Sequence, residues 1–287
     1  MINVIPYSEL TPELARKGVF VTDMPNEDYH RYEGVSNSGL NLVARSPAHF
    51  HYSPPFNSTR AMDIGTAFHT ALLEPERYES EYMTVTGCND RRKAEYTSAA
   101  KVYGKDKTLT ENEGASVVIM AESIRSNPAA RELLDQGGHA EISAFVTDPE
   151  TGILLRCRFD WLTNDHRAMD LKKTQDAREF AFAKSVNNYR YHCQAAMYRH
   201  IYNLITGREL ENYQFLAVEE APPCSNVLYD IDPLAVEIGY KKYREALLDY
   251  AIAKESGEWV TYSGVGVVTL PEWALLQDEE NTEEEIY

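Results

Sequence analysis

Apolar positions recur at helical spacing through the first half of the chain, run or alternate at strand spacing through the middle, and return to helical spacing near the end. Residues 35–45 read as a short helix with Ser36 or Asn37 as N-cap, and Ser46-Pro47 stops it. After a Pro/Asn/Ser loop over residues 53–58, the stretch 61–73 places Ile64, Ala67, Phe68, Ala71 and Leu72 at helical spacing, includes His69, and ends at Glu74-Pro75. Residues 115–124 predict another helix, and Asn127-Pro128 opens a short one to Leu134. The period then shortens. Residues 141–147 read as a strand, 148–152 as turn chemistry and 153–162 as a second strand, which together make a hairpin. A third strand is expected at 167–172, then helices at about 178–185 and 188–205, strands at 213–218 and 227–231, and a long helix from Pro233. The opening stretch to about Asn26, with prolines and mixed polarity, takes no assigned element. This order predicts an α/β (α+β) fold: a mixed central sheet flanked by helices.

No internal repeat is present, so one domain over residues 1–277 with an N-terminal helical portion is the simpler organisation. Residues 278–287 form an acidic tail that reads as solvated and disordered. With 43% hydrophobic and 25% charged residues, the 287-residue chain has the composition of a soluble globular protein. No run approaches the roughly 18 apolar residues of a membrane span, and the start lacks a basic segment followed by an apolar one. The expectation is a cytoplasmic protein without a membrane partner. Cys88, Cys157, Cys193 and Cys224 lie far apart with no CxxC pair, which excludes a zinc ribbon or iron–sulfur spacing and leaves free buried thiols.

The net charge of −17 argues against a protein that coats nucleic acid, because phosphate binding draws on clustered Lys and Arg. The tail carries six acids and no base, so the remainder holds −11. A protein that encloses DNA needs positive charge only on an inner wall, and a metal site itself needs carboxylates. One stretch stands out against the acidic background. Residues 87–107 include Arg91, Arg92, Lys93, Lys101, Lys105 and Lys107, readable either as a solvated face or as a DNA-backbone contact.

The chemistry centres on Asp160 near the end of one strand and on Asp170-Leu171-Lys172 in the next. Strand residues two apart share a face, so Asp170 and Lys172 project together while Leu171 points to the core. Two carboxylates from neighbouring strands make a hard oxygen site for Mg²⁺, with Mn²⁺ as an alternative, and a lysine beside it suits phosphodiester hydrolysis. Alone, this spacing is also that of a surface ion pair. The following helix adds Gln194 and Tyr198, four apart on one face.

The runs Arg156-Cys157-Arg158-Phe159-Asp160, Met169-Asp170-Leu171-Lys172-Lys173-Thr174 and residues 189–198 resemble the nuclease domain of the RecE-type exodeoxyribonucleases and their phage and prophage relatives, a branch of the PD-(D/E)xK nucleases. The likeness extends to residues 38–49, 65–69 and 270–273. The resemblance implies a restriction-endonuclease-like core in which His69, Asp160, Asp170 and Leu171 are metal-binding positions. It makes Lys172 the catalytic lysine and Gln194 and Tyr198 the Q-x(3)-Y motif, with Glu141 as a further acidic member. Lys173 stands where relatives often have Thr, and strand alternation favours Lys172 as the lysine at the metal. Arg156 and Arg158 divide between sheet-face ion pairs and phosphate contacts, and His192 and His200 read as structural.

The resemblance further implies a double-strand exonuclease acting from the 5′ end to leave 3′ overhangs, a ring, tetramer favoured over trimer, and a single-strand annealing partner of the RecT type. Related nucleases that carry an iron–sulfur cluster need cysteines absent here, and the RecB-like ones sit beside a helicase. The alternative from another class is an inactive phage protein that binds DNA ends or recombination partners.

Overall fold

A computed structural model describes residues 4–55 and 57–272, so the acidic tail and Trp273 lie outside the described residues. The opening stretch holds more regular structure than its mixed polarity suggests. Strands β1 (Val4–Pro6) and β2 (Val19–Thr22) pair in parallel around helix α1 (Pro12–Lys17), and α2 (Asn26–Arg31) follows. Val19, Phe20 and Val21 are all fully buried, so β2 is apolar on both faces and too short to show a period.

Helix α3 (Asn37–Val43) starts at Ser36, whose hydroxyl accepts from the Gly39 N–H and so settles the choice of cap. Ser46-Pro47 ends that helix and also begins the next, α4 (Pro47–His51), with Ser46 as cap and proline in the first turn. Helix α5 (Arg60–Leu73) carries His69, and α6 (Pro75–Glu81) leads to β3 (Met83–Val85). The basic stretch becomes α7 (Ala94–Tyr103), and β4 (Thr108–Thr110) pairs with β3 in a small parallel sheet. Helix α8 (Glu111–Arg125) begins before Ala115 because Thr110 and Glu113 form a reciprocal capping box, and α9 (Pro128–Asp135) completes this half.

Strands β5 (Gly138–Thr147) and β6 (Leu154–Thr163) form the expected hairpin. Then come β7 (Arg167–Thr174), α10 (Glu179–Asn188), α11 (Tyr191–Thr206), β8 (Asn212–Glu219), β9 (Asn226–Asp230) and α12 (Pro233–Ser256). The large sheet runs β1-β2-β5-β6-β7-β8-β9. It is antiparallel except for β1/β2 and β7/β8, the latter joined by the α10–α11 crossover that a parallel pair requires. The fold class is therefore the mixed sheet flanked by helices that the sequence pattern predicts.

Two apolar layers cover the sheet. On one side α3, α11 and α12 bring Leu40, Ile201, Tyr202, Tyr243 and Leu247 against Phe159 and Phe215. On the other, α5 and α8 bring Phe68, Val117 and Met120 against Met169, Leu171 and Leu216. All four cysteines are free and buried: Cys157 and Cys193 in the first layer, Cys224 in the second, Cys88 beside the small sheet. Among the described residues no helix is long and apolar enough to cross a membrane.

Candidate active site and metal centre

Alternation along β7 places Asp170 and Lys172 on the face toward α11, and Lys173 on the other, where its ammonium meets Glu220 at 3.3 Å. Lys172 Nζ lies 2.6 Å from Asp170 Oδ2, donates to Gln194 Oε1 at 3.1 Å, and sits 4.4 Å from the centre of the Tyr191 ring. Gln194 reciprocates by donating from Nε2 to Asp170 Oδ1 at 2.5 Å, and the Tyr213 hydroxyl donates to the same oxygen at 3.2 Å. The amide of Gln194 thus bridges the two charged groups, so their spacing is held by a third side chain. Tyr198, four residues on, packs edge-on against Phe159 and Tyr213 and so braces the phenol that holds Asp170. Sequence reasoning missed Tyr191 and Tyr213. One reads as helix packing and the other as a strand residue, and only the meeting of α11 with β8 gives them a role.

Asp160 lies between Asp170 and Glu141 across three adjacent strands. Its Oδ2 accepts the Leu171 main-chain N–H at 2.7 Å. Leu171, expected at the metal, thereby positions the Asp160 carboxylate through its main chain, while its side chain is buried in the layer under α5 and α8 and offers no donor atom. From α5, His69 Nδ1 approaches Asp160 Oδ2 at 3.7 Å and Glu141 Oε1 at 3.3 Å. Glu141 adopts a left-handed backbone with φ of +47°, while its neighbours Ala140 and Ile142 keep their pairing to β6. Such a conformation in a residue with a Cβ is strained and is concentrated at functional positions.

The residues fit a divalent cation. His69, Glu141 and Asp160 each offer a ligand atom, all within 4.8 Å of one another, a mixed imidazole and carboxylate set. Next to them Asp170 Oδ2 is buried and accepts no aligned hydrogen bond, with only the Lys172 ammonium against it. Asp170 therefore already faces a cation from the same row of carboxylates.

A divalent cation would compete with protons for this cluster. Burial, with the charges of Asp170 and Glu141, pushes the Asp160 carboxyl up to about 7, against the pull of His69 and Lys172. Burial works against the His69 imidazolium, but Asp160, Glu141 and Asp170 outweigh it and lift His69 to about 9. Glu141 moves the other way: burial is overcome by the bond and charge of His69 and by Arg158 and Arg77, which hold it below the usual range. Lys172 is raised despite burial because Asp170 and Asp160 face it.

The raised Asp160 and His69 each contribute stability that is present below their ordinary values. It is lost as pH rises through about 7 for Asp160 and about 9 for His69. A divalent cation held there would take the place of those protons. Thermal melts with and without Mg²⁺ or Mn²⁺ should therefore show a Tm increase that is larger near pH 8.5 than near pH 6; an equal increase at both would mean that the ion binds elsewhere.

The sequence-derived DNA contacts divide. Arg91 lines a cavity of about 540 Å³ with Arg60, Tyr96, Lys101 and Lys105. Arg60 is held there by Glu113 and by the main-chain carbonyls of Lys105 and Thr108. Among the described residues Arg91, Lys101 and Lys105 have no carboxylate partner, so the cavity wall is cationic on balance, although Asp63 also lines it, 3.9 Å from Arg60. It lies at the start of α5, about 14 Å along that helix from His69. Arg92 is paired with Asp90 at 2.9 Å, and Lys93 is exposed at the start of α7.

Arg156 and Arg158, divided by sequence between sheet-face ion pairs and phosphate contacts, bind main-chain carbonyls and a hydroxyl within this chain. Arg156 donates to the carbonyls of Gly34, Tyr29 and His30, and Arg158 to Ser143 Oγ and the Met24 carbonyl, with both guanidinium groups over the Tyr29 ring. Their donors fasten the N-terminal segment to β6 rather than facing solvent. His192 bonds the Val186 carbonyl and His200 the Tyr243 hydroxyl, the structural use expected of both.

None of the curated proteins compared matches the chain. The crystal structure of a "putative exonuclease" from Eubacterium rectale is similar in fold at 10% identity, with a TM-score of 0.55 over 85% of this chain and 97% of that one. Residues 36–266 match the family described as a PDDEXK-like domain of unknown function (DUF3799), a span that takes in His69, Glu141, Asp160, Asp170, Lys172, Gln194 and Tyr198. With four-fifths of its length inside that match, the chain belongs to this PDDEXK-like family.

Proposed function

We propose that the protein is a divalent-metal-dependent exonuclease that hydrolyses phosphodiester bonds at the ends of duplex DNA. The observation that carries this reading is the junction of two half-sites: the His69–Glu141–Asp160 ligand set and, sharing the same carboxylate row, Asp170 bridged to Lys172 by Gln194. A hard divalent ion, Mg²⁺ or Mn²⁺, would supply Lewis acidity toward a phosphate oxygen and a more acidic water. Because its carboxylate neighbours keep Lys172 protonated, it enters the site as an ammonium that orients a water or a phosphate oxygen by donation. Gln194 and Tyr213 hold Asp170 against rotation, and the unpartnered cations of the cavity near α7 suit the backbone of the same duplex.

The resemblance to RecE-type enzymes supports a finer reading: degradation from the 5′ end, with 3′ overhangs handed to an annealing protein of the RecT type. The similarity of fold to the Eubacterium rectale protein, described as a "putative exonuclease", is in keeping with the broader one. The test is incubation with linear and with covalently closed duplex DNA in Mg²⁺. Release of nucleotides from the linear form alone supports an exonuclease, and 5′- against 3′-labelled ends reads the polarity. End binding without metal-dependent release would instead identify the inactive end-binding protein.

A further inference from the structure

Helix α12 covers the core with one face and, among the described residues, leaves an apolar seam on the other. Leu234, Ile238, Leu248 and Ile252 are 60%, 41%, 54% and 55% exposed. With Lys241 and Glu245, also exposed, they fall at 234, 238, 241, 245, 248 and 252. The steps are four, three, four, three and four, the spacing of a coiled-coil seam over nearly three heptads. In a helix packed only on its own domain these positions carry polar residues, so four large aliphatic groups in register call for a partner.

The order of residues along the seam specifies that partner. Read from either end, it is aliphatic, aliphatic, charged, charged, aliphatic, aliphatic, with the charges opposite in sign. Laid antiparallel on a second copy, Leu234 meets Ile252, Ile238 meets Leu248, and Lys241 meets Glu245, and each pairing recurs by the two-fold axis. This alternates the two seam positions across the interface, as antiparallel helices require. A parallel pairing would set Lys241 against Lys241 and Glu245 against Glu245, and like charges at seam positions oppose that orientation.

We propose that α12 is a homodimer interface: two copies of this chain associate through antiparallel α12 helices about a two-fold axis near Tyr243. Within one copy Lys241 is held by Glu237 at 2.7 Å, an exposed pair in which Glu237 is readily exchanged for the Glu245 of a second copy. The interface is isologous, and 24 residues of helix give it about 36 Å of length. One helix per copy lies at the small end of specific interfaces, so a dissociation constant of roughly micromolar order is expected. The inference is independent of the chemistry proposed for the metal centre.

Sedimentation equilibrium of the full chain from about 1 to about 200 µM should show reversible dimers. Leu248→Glu with Ile252→Glu should abolish them without lowering Tm, since both side chains face solvent in the single copy. Lys241→Glu should weaken association roughly tenfold by placing like charges in two layers, and adding Glu245→Lys should restore it. A variant with Leu234→Cys and Ile252→Cys should oxidise to a covalent dimer, because within one helix those positions are about 27 Å apart and cannot bridge. The four natural thiols are buried and do not interfere. A monomer throughout the concentration range, an assembly indifferent to these substitutions, or cross-linking of either single-cysteine variant as efficiently as the pair would each overturn the proposal.

Discussion

Asp170→Asn is expected to lower metal-dependent release of nucleotides from linear duplex DNA on the order of a thousandfold, the several kcal/mol that a well-placed ligand carboxylate supports. The substitution keeps the shape that Gln194 and Tyr213 grip while removing the charge that faces Lys172. Lys172→Met should cost a comparable factor but by another route, and stability tells the two apart. Without the ammonium, Asp170 is a buried carboxylate beside Asp160 with no cation of its own. Such orphaned charges are costly. The lysine variant should therefore melt well below the wild type in the absence of metal, whereas the double variant Asp170→Asn with Lys172→Met should regain much of that stability and remain inactive. If the lysine variant kept full activity, Lys172 would be a structural counter-charge and not part of the chemistry.

The largest effect on stability is expected at Arg244. Its guanidinium, on α12, meets Asp148 at 2.6 Å and Glu150 at 2.7 Å, and the Asp148 side chain is completely buried in the β5–β6 turn, where it also accepts from Thr151. Arg244→Met leaves that carboxylate uncompensated and should cost about 3 kcal/mol, or roughly 6–12 °C in Tm for a chain of this size. The pH dependence has a definite sign. Burial would raise Asp148, but Arg244 and Thr151 hold it below its ordinary value, so its contribution is present above that value and disappears as pH falls beneath it. The gap between wild type and variant should be wide at neutral pH and close below about pH 4. A gap independent of pH would mean that Arg244 acts through packing alone.

Periodicity made the central part of the molecule legible. The β5–β6 hairpin, β7, β8, β9 and the helices after β7 follow from residues that repeat every two or every 3.6 positions, and the shared face of Asp170 and Lys172 follows from the same alternation. What periodicity cannot carry is geometry that depends on remote contacts. Strands β1 to β4 are three or four residues long, too short for an alternation to stand out, and β2 pairs with β5 from far along the chain. Glu141 reaches His69 through a left-handed backbone that no residue type at that position announces. Arg156 and Arg158 look like phosphate contacts on a strand, yet the carbonyls they bind belong to a segment more than a hundred residues earlier. Tyr213 becomes part of the site only because the β7–β8 register and α11 bring its hydroxyl to Asp170.

The four cysteines have a practical use. Because each is free and buried, with Cys157 and Cys193 under one face of the sheet, Cys224 under the other and Cys88 at the small sheet, none can react with a thiol reagent until its own layer opens. Labelling rates at the four positions, followed by mass spectrometry under native conditions, would rank the opening free energies of those layers without any introduced probe. A divalent ion gripped by α5, β5 and β6 should slow labelling at Cys157 more than at Cys88, turning an ordinary alkylation experiment into a map of how far the metal stiffens the fold.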